Sequence, residues 1–407
     1  MKKVAAVTLG CKVNAYDTEA ILTILSGGGY EVVDFSETAD IYIVNTCTVT
    51  NTGDRKSRQM IGRARRQNPN AVIVAAGCYA QTRAEELSEI ADIVIGTEGR
   101  GDILQVLETR LNRVMSLREI KVFEKLPVQR LSGRTRAYVK IQEGCDNFCS
   151  YCIIPYARGN PRSRDIGDAI VECRNLAENN FKEIVLTGIN INSYGKDLVD
   201  TDLPKLLRRI NDIDGICRIR LSSLSPVTIT EEFLRELPKK VCDHFHLSLQ
   251  SGCDRTLRNM NRRYDTKFYE NAVNNIRRYY KDAAITTDII VGFPEETDYD
   301  FCQSMEFCQK MELAKIHVFP FSAKEGTRAF SMGGQVSESV KKERTSEFLK
   351  LAKALRGNFL DKYAGKTMPV LFEKEGEGHT ANYILVKTGT YEKNTISNIA
   401  LTRENMV

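Results

Sequence analysis

Apolar runs and helical periods alternate along nearly the whole chain. In the first hundred residues Val4–Leu9, Ile41–Val44 and Val72–Ala76 are short apolar runs, and Thr18–Leu25 and Asp54–Gln67 between them follow a helical period. Strands alternating with helices predict a parallel sheet with helices on its faces. A second alternation begins with AYVKIQEG, a strand ending at Gly144. It continues through Glu183–Thr187, Arg218–Ser222, His244–Leu249, Ala284–Val291 and Lys315–Phe319. The helices between show buried faces at Ile166, Ala169, Ile170 and Cys173, then at Leu203, Leu206, Leu207 and Ile210. Six strand–helix units are fewer than a closed barrel needs, which predicts a curved, partly open (β/α)6 barrel. A long helix is expected over Lys341–Tyr363, with Phe348, Leu351, Leu355 and Phe359 on one face. Beyond Gly365 the period becomes strand-like at Met368–Phe372, Ala381–Val386 and Ile396–Thr402, with turn chemistry at Gly376, Gly378 and His379.

The fold class expected is therefore α/β in four segments. Residues 1–112 form a parallel-sheet domain, and 113–130 a linker; the surrounding basic stretch Arg110–Arg136 has no clear period after Leu117, and Lys125, Pro127, Gly133 and Arg134 mark the boundary. Residues 131–362 form the barrel, and 363–407 a small all-β module of about forty residues, too small to be stable without leaning on the barrel. A length of 407 residues suits several domains. Hydrophobic content of 42% and charged content of 27% are those of a soluble globular protein, and no apolar run is long enough to span a membrane. The apolar part of MKKVAAVTLG reads as a strand rather than a signal peptide, so a cytoplasmic location is expected. A net charge of +5 is compatible with a nucleic-acid partner.

Twelve cysteines in such a chain are metal ligands or buried thiols sooner than disulfides. Cys145, Cys149 and Cys152 lie in CDNFCSYC, a C-x3-C-x2-C loop directly after a strand. Soft thiolates suit zinc or an iron–sulfur cluster. No fourth Cys or His lies close by, so three thiolates on a 4Fe–4S cube would leave one iron open; the alternative is a zinc loop completed by a distant ligand. Cys11, Cys47 and Cys78 each follow the carboxyl end of an N-terminal strand. Right-handed crossovers bring such ends to one rim, where ligands gather. They are candidates for a second three-thiolate site, against the plain reading of three small buried hydrophobes. Cys173, Cys217, Cys242, Cys253, Cys302 and Cys308 share no spacing and read as buried or incidental, with Cys253 nearest the barrel mouth. The helix Asp54–Gln67 carries Arg55, Lys56, Arg58, Arg63, Arg65 and Arg66, either a solvated face or a phosphate contact.

With Tyr151 before its last cysteine, the C-x3-C-x-aromatic-C loop resembles the signature of radical S-adenosylmethionine enzymes. The resemblance implies that the open iron chelates the amino and carboxylate groups of S-adenosylmethionine. Candidates to hold that cofactor are Tyr151, Thr187 and Gly188 in TGIN, Gln250 in SLQSG and Asp288 in TTDIIVGFPEET. For each strand-end residue the alternative is a structural hydrogen bond, and Pro294 reads as a turn residue.

The order of a three-cysteine α/β domain, this barrel and a short TRAM-like β domain resembles the methylthiotransferase family. LGCKVNAYDTE, Leu9–Glu19, is similar to the branch acting on N6-threonylcarbamoyladenosine in tRNA, through Lys12 and Val13; the isopentenyladenosine branch reads GCQMN there and the ribosomal-protein branch GCPKN. The resemblance implies two 4Fe–4S clusters, one on Cys145, Cys149 and Cys152 that cleaves S-adenosylmethionine to a radical, and one on Cys11, Cys47 and Cys78 that carries sulfur. Such chemistry answers a need, because carbon 2 of adenine has a C–H bond that acid–base catalysis cannot open. The implied partners are a tRNA anticodon stem-loop, an electron donor such as a flavodoxin or ferredoxin, and a sulfur donor that no motif identifies. Tyr383, Lys387 and Tyr391 are candidates to stack on and pair with RNA, or ordinary surface residues. The competing readings are methylthiolation of isopentenyladenosine and, in a different class, a non-catalytic iron–sulfur redox protein or zinc-stabilised RNA-binding protein.

Overall fold

The computed structural model describes residues 1–128 and 135–407. Gly133 and Arg134, two of the expected boundary residues, lie outside them. The N-terminal sheet contains β1 (Lys3–Thr8), β2 (Glu31–Val33), β3 (Ile41–Thr46), β4 (Val72–Gly77) and β5 (Ile93–Ile95), all parallel, in the order β2-β1-β3-β4-β5. The three expected strands end within two residues of their predicted ends. The two edge strands were not legible, because three residues are too few to show a period. The first helix runs over Lys12–Gly27 and begins well before the expected Thr18. Its first turns bury Asn14 and Asp17, and buried polar residues hide the apolar period. The basic helix spans Asn51–Gln67, with Thr50 accepting the N–H of Gly53 as its cap.

The described part of the expected linker is packed rather than free. Arg113 still bridges Ile95 at the sheet edge. Ile120 and Leu126 are buried, and Glu124 accepts from Arg100 at 3.1 Å and from the N–H of Gly101 at 3.0 Å.

The barrel strands are β6 (Arg136–Glu143), β7 (Arg162–Ser163), β8 (Glu183–Gly188), β9 (Arg218–Leu221), β10 (His244–His246), β11 (Ala284–Val291) and β12 (Lys315–Pro320). They form two hydrogen-bonded groups, β7-β6-β8-β9 and β10-β11-β12, joined by parallel bridges Ile219↔Val241 and Leu224↔Leu247. Six of the seven run parallel, as the alternation requires. The short β7 is antiparallel to β6 and was not expected. Helices Ile166–Glu178, Leu203–Asn211, Thr266–Tyr279 and Asp298–Lys310 press Ile170, Leu206, Ile276 and Phe301 into one core on the outer face of these strands. Pro294 opens a tight turn from Phe293 to Glu296, as read from the sequence.

After the long helix Glu338–Asp361, β13 (Thr367–Lys374), β14 (Glu377–Thr380), β15 (Leu385–Lys387) and β16 (Ile396–Ala400) form an antiparallel sheet in the order β15-β14-β13-β16. The expected strand Ala381–Val386 is mostly a turn. Gly378 and His379 are strand residues, not turn residues, and the reversal is made at Gly376, at φ 65°. This sheet leans on the barrel: Arg218 donates to the carbonyls of His379 and Pro369 at 2.8 and 2.7 Å, and Arg220 to that of Ala381 at 3.0 Å. Tyr383 does not offer a free face to RNA. Its ring stacks on His244 and His379 at 4.7 and 4.6 Å and lies under Arg220, turned toward the barrel. Tyr391 is stacked on Phe372 at 4.6 Å, while Lys387 is exposed beside Glu377.

Candidate metal and cofactor site

The loop Cys145–Cys152 is fastened at both ends. Gly144 sits at φ 74°, and a Cβ there would fall 2.0 Å from the carbonyl of Asn160, so only glycine lets β6 turn into the loop. The N–H of Cys145 donates to Gly159 and that of Ser150 to Met260, while Asn261 Nδ2 donates to the carbonyl of Phe148. The thiols inside the loop act on one another. Burial pushes Cys152 up to about 12, the N–H of Ile154 opposes, and Cys149 and Cys145 push further up. Burial also raises Cys145, against the N–H of Asn147. Arg262 Nη1 donates to Cys149 Sγ at 3.2 Å. Cys145 and Cys152, desolvated, and Cys149 beneath a guanidinium suit metal ligation, because a bound metal favours the thiolate.

The second trio lies where the strand-end rule puts it. Cys11 follows β1 by three residues, and Cys47 and Cys78 directly follow β3 and β4. Gly10, at φ 97°, leaves room for Cys47: a Cβ there would lie 2.9 Å from its Cβ and Sγ. Asn14 Nδ2 ties the ends of β1 and β3 together by donating to the carbonyls of Leu9 and Thr46 at 2.7 and 2.9 Å. Burial pushes Cys78 up to about 11, Arg158 opposes, and Cys11 and Cys47 add to the rise. Arg158 Nε donates to Cys78 Sγ at 3.2 Å. Each trio thus has one arginine on one sulfur. Soft, mutually coupled thiols suit a multi-iron cluster.

Between the two trios runs a buried ionic network. Arg158 meets Glu143 at 2.8 Å and Asp17 at 3.3 Å, Lys140 meets the same two carboxylates at 3.2 and 2.6 Å, and Arg100 pairs with Asp17. All five side chains are essentially inaccessible. Burial alone would raise the carboxyl of Glu143; Arg158, Lys140 and Arg100 hold it well below the usual range, and Asp17 is lowered in the same way. A lysine and a glutamate inside the apolar run AYVKIQEG were the sequence signal for this network, and it was not read.

A cavity of about 290 Å³ lies beside Cys152. Tyr151, Gln250 and Asp288 line it from the barrel, and Val49 and Thr50, just past Cys47, line it from the N-terminal sheet. Gln250 holds φ 72°, its N–H on the carbonyl of Asp288 and its own carbonyl accepting from Ile290. Thr187 and Gly188 are not among the cavity-lining residues. Thr187 is buried within β8, and a Cβ at Gly188 would stand 2.9 Å from Gln142, so β6 accounts for that glycine without a cofactor. On the far side of the loop a smaller cavity of about 190 Å³ is lined by Cys149, Asn190, Arg262 and Tyr264, none of which but the cysteine was read as functional.

The basic helix begins against the barrel. Asn51 donates to Ser322 and Ala323, and its Asp54 pairs with Lys324. Arg58 and Arg65 are spent on Glu86 and Asp92, while Arg55, Lys56, Arg63 and Arg66 stay exposed. Cys253 is buried against Asp300 and Gln303 rather than placed at the mouth. Cys173, Cys242 and Cys308 are buried, and Cys217 and Cys302 exposed.

Residues 3–96 match an uncharacterized protein family, UPF0004, and residues 139–308 the radical SAM superfamily. The chain is 43% identical over 406 residues to the threonylcarbamoyladenosine tRNA methylthiotransferase MtaB of Bacillus subtilis, covering 95% of this chain and 90% of that protein. It is 38% identical over 392 residues to the tRNA-2-methylthio-N(6)-dimethylallyladenosine synthase of Pelotomaculum thermopropionicum, covering 92% and 87%. Among solved structures it resembles the radical S-adenosylmethionine methyltransferase TsrM of Kitasatospora setae, with a TM-score of 0.59 at 16% identity over 78% of this chain and 75% of that one, a likeness of fold alone.

Proposed function

Since the chain belongs to the methylthiotransferase family of radical S-adenosylmethionine enzymes, we propose that it attaches a methylthio group to carbon 2 of N6-threonylcarbamoyladenosine beside the tRNA anticodon. The observation that carries this reading is the cavity of about 290 Å³ with Cys152 and Tyr151 in one wall and the residues following Cys47 in the other. It gives the cofactor a place against the first trio, with the residues that follow Cys47 of the second trio in the same wall. Cys145, Cys149 and Cys152 would hold one 4Fe–4S cluster and Cys11, Cys47 and Cys78 the other. When bound, the clusters and S-adenosylmethionine supply the one-electron chemistry and the sulfur that no side chain here supplies.

The chain's own residues have four tasks. Tyr151, Gln250 and Asp288 flank the cofactor's place, and the positive φ of Gln250 aims its side chain from a backbone locked to β11. Arg262 and Arg158 each hold one thiolate. Val49, Ile153 and Phe321 keep the cavity wall apolar and restrict water. The exposed arginines of the basic helix fit RNA phosphates. The proposed segments are 1–112 for the sulfur-carrying cluster, 113–130 as the linker, 131–362 for the radical core and 363–407 for the TRAM-like sheet. The reaction further calls for a one-electron donor such as a flavodoxin or ferredoxin, and for a sulfur donor. No helix among the described residues is long and apolar enough to cross a membrane, and a tRNA substrate fits a cytoplasmic site.

Nucleoside mass spectrometry of tRNA from a deletion strain tests the reading. It should show loss of 2-methylthio-N6-threonylcarbamoyladenosine with its unthiolated precursor retained. Similarity to the Pelotomaculum synthase supports a second reading, and loss of the isopentenyl product instead would establish it. Cys→Ala replacement of either trio should remove about half of the iron and leave the other cluster's spectrum intact.

A further inference from the structure

The lumen of the barrel holds a second, polar cavity of about 300 Å³. Strand residues Arg136, Arg220, His246 and Lys315 line it, and two side chains reach it from elsewhere: Tyr383 from the C-terminal sheet and Lys12 from the residue after Cys11. Its positive charges are unevenly matched. Arg136 is paired with Glu373 at 2.7 Å and Arg220 with Glu183 at 2.7 Å. The one carboxylate in the wall, Asp288, lies 3.3 Å from His246. Among the described residues no carboxylate is within ion-pair distance of Lys12 or of Lys315. His244 and His317, also in the wall, are held neutral chiefly by burial and so neither add to nor cancel this excess. Both lysines are exposed to the solvent that fills this open lumen. Two ammonium groups with no carboxylate partner, facing one cavity, make a site for one small anion.

Position identifies that anion. Asp288 lines both this cavity and the one beside Cys152, so the two meet at that side chain. Lys12 is covalently next to Cys11 of the other trio. Whatever lies between the trios can therefore extend a substituent into the lumen. An RNA phosphodiester is joined to the strand on both sides, and a lumen blocked by the stacked Tyr383 does not suit a strand passing through. A substituent on the base enters from one side only. The N6-threonylcarbamoyl group ends in a carboxylate, whereas an isopentenyl group carries no charge. We propose that Lys12, together with Lys315, binds the carboxylate of the substrate's N6 substituent and so selects a threonylcarbamoylated over an isopentenylated adenosine. This rests on the substrate reading above. A site built for a charged group rejects an analogue lacking it, because its own charges are left unpaired.

The test uses the full-length, cluster-reconstituted protein and three anticodon stem-loops identical but for the modified base, which carries N6-threonylcarbamoyl, its methyl ester or N6-isopentenyl. Dissociation constants are read by fluorescence anisotropy, with iron and sulfide counted for every variant. Wild type should prefer the free carboxylate over the ester and the isopentenyl RNA by roughly 10- to 100-fold, the range of one charge-assisted contact. Lys12→Gln should abolish that preference by weakening only the carboxylate-bearing RNA, and Lys12→Arg should restore most of it. Equal weakening of all three RNAs would make Lys12 a phosphate contact and overturn the proposal, as would no change at all. If Lys12→Gln loses iron, Lys315→Gln, away from the cysteines, decides by the same criterion. If wild type itself prefers the isopentenyl RNA, the substrate reading fails, whereas a wild-type preference for the carboxylate that Lys12→Gln and Lys315→Gln both leave intact sinks only the present inference.

Discussion

Arg158 and Arg262 each place a guanidinium on one cysteine sulfur, at 3.2 Å in both cases. Hydrogen bonds and positive charge at cluster sulfurs stabilise the reduced form, whose negative charge is greater. Arg262→Met should therefore lower the reduction potential of the cluster on Cys145, Cys149 and Cys152, by an amount on the order of tens of millivolts, with iron content kept. A potentiometric titration followed by electron paramagnetic resonance reads this directly, and an unchanged or raised potential would show that the contact does no electrostatic work. Arg262 is the better test of the two, because Arg158 also answers buried carboxylates and its loss would unsettle the protein. The six cysteines were legible because their spacing and strand-end positions are local. The arginines were not, since 80 and 113 residues of chain separate them from the sulfurs they touch. Gly188, a candidate to admit the cofactor, also has a neighbouring strand close to it. A glycine at a strand end signals close approach, but the sequence does not say whether a ligand or a neighbouring strand approaches, and here it is Gln142.

At the scale of elements, long strands buried on both faces were read to within a residue or two, and β11 matched at both ends. Short pieces such as β2, β5 and β7 escaped because two or three residues carry no period. In the C-terminal sheet the run EGEGHT, Glu375–Thr380, looked like one turn, yet Gly378 lies in β14, where a Cβ would stand 2.3 Å from the carbonyl of Leu371. Close strand packing, rather than reversal, needs that glycine. The basic helix Asn51–Gln67 is half structural and half free. Asp54, Arg58 and Arg65 fasten it, and Arg55, Lys56, Arg63 and Arg66 remain for solvent or phosphate. Replacing Arg55, Lys56 and Arg63 together by alanine should weaken every tRNA alike and flatten the plot of log affinity against log salt by about 2 to 3, near one unit per lost phosphate contact. An unchanged slope would reduce the helix face to an ordinary solvated surface. This arm is separable from the Lys12 arm, since a phosphate contact ignores the modification on the base.

For the whole molecule the decisive feature is that two halves, each carrying one proposed cysteine trio, are pinned together by buried charge. Composition and period foresaw both halves but not their clamp, which depends on charges buried where the sequence looks like helix start and strand. Asp17 from the first helix, Lys140 and Glu143 from β6, Arg158 from the turn after the cysteine loop, and Arg100 from the edge of the N-terminal sheet form one inaccessible network. The three cations share the two carboxylates, and Arg100 also meets Glu124 at 3.1 Å; removing one partner strands the others, typically at a cost of about 3–5 kcal/mol. Asp17→Asn should therefore lower the thermal midpoint at pH 7 and speed proteolysis between residues 113 and 128, which pack against the N-terminal half. The pH dependence follows from the depressed carboxyls. Asp17 and Glu143 have lower values folded than unfolded. Their contribution is complete above the unfolded carboxylate range, near pH 4, and is lost as pH falls through the folded values. The gap between wild type and Asp17→Asn should thus be widest at neutral pH and narrow in acid. A gap that widens in acid, or a variant as stable as wild type at pH 7, would mean that apolar contacts alone hold the two halves together.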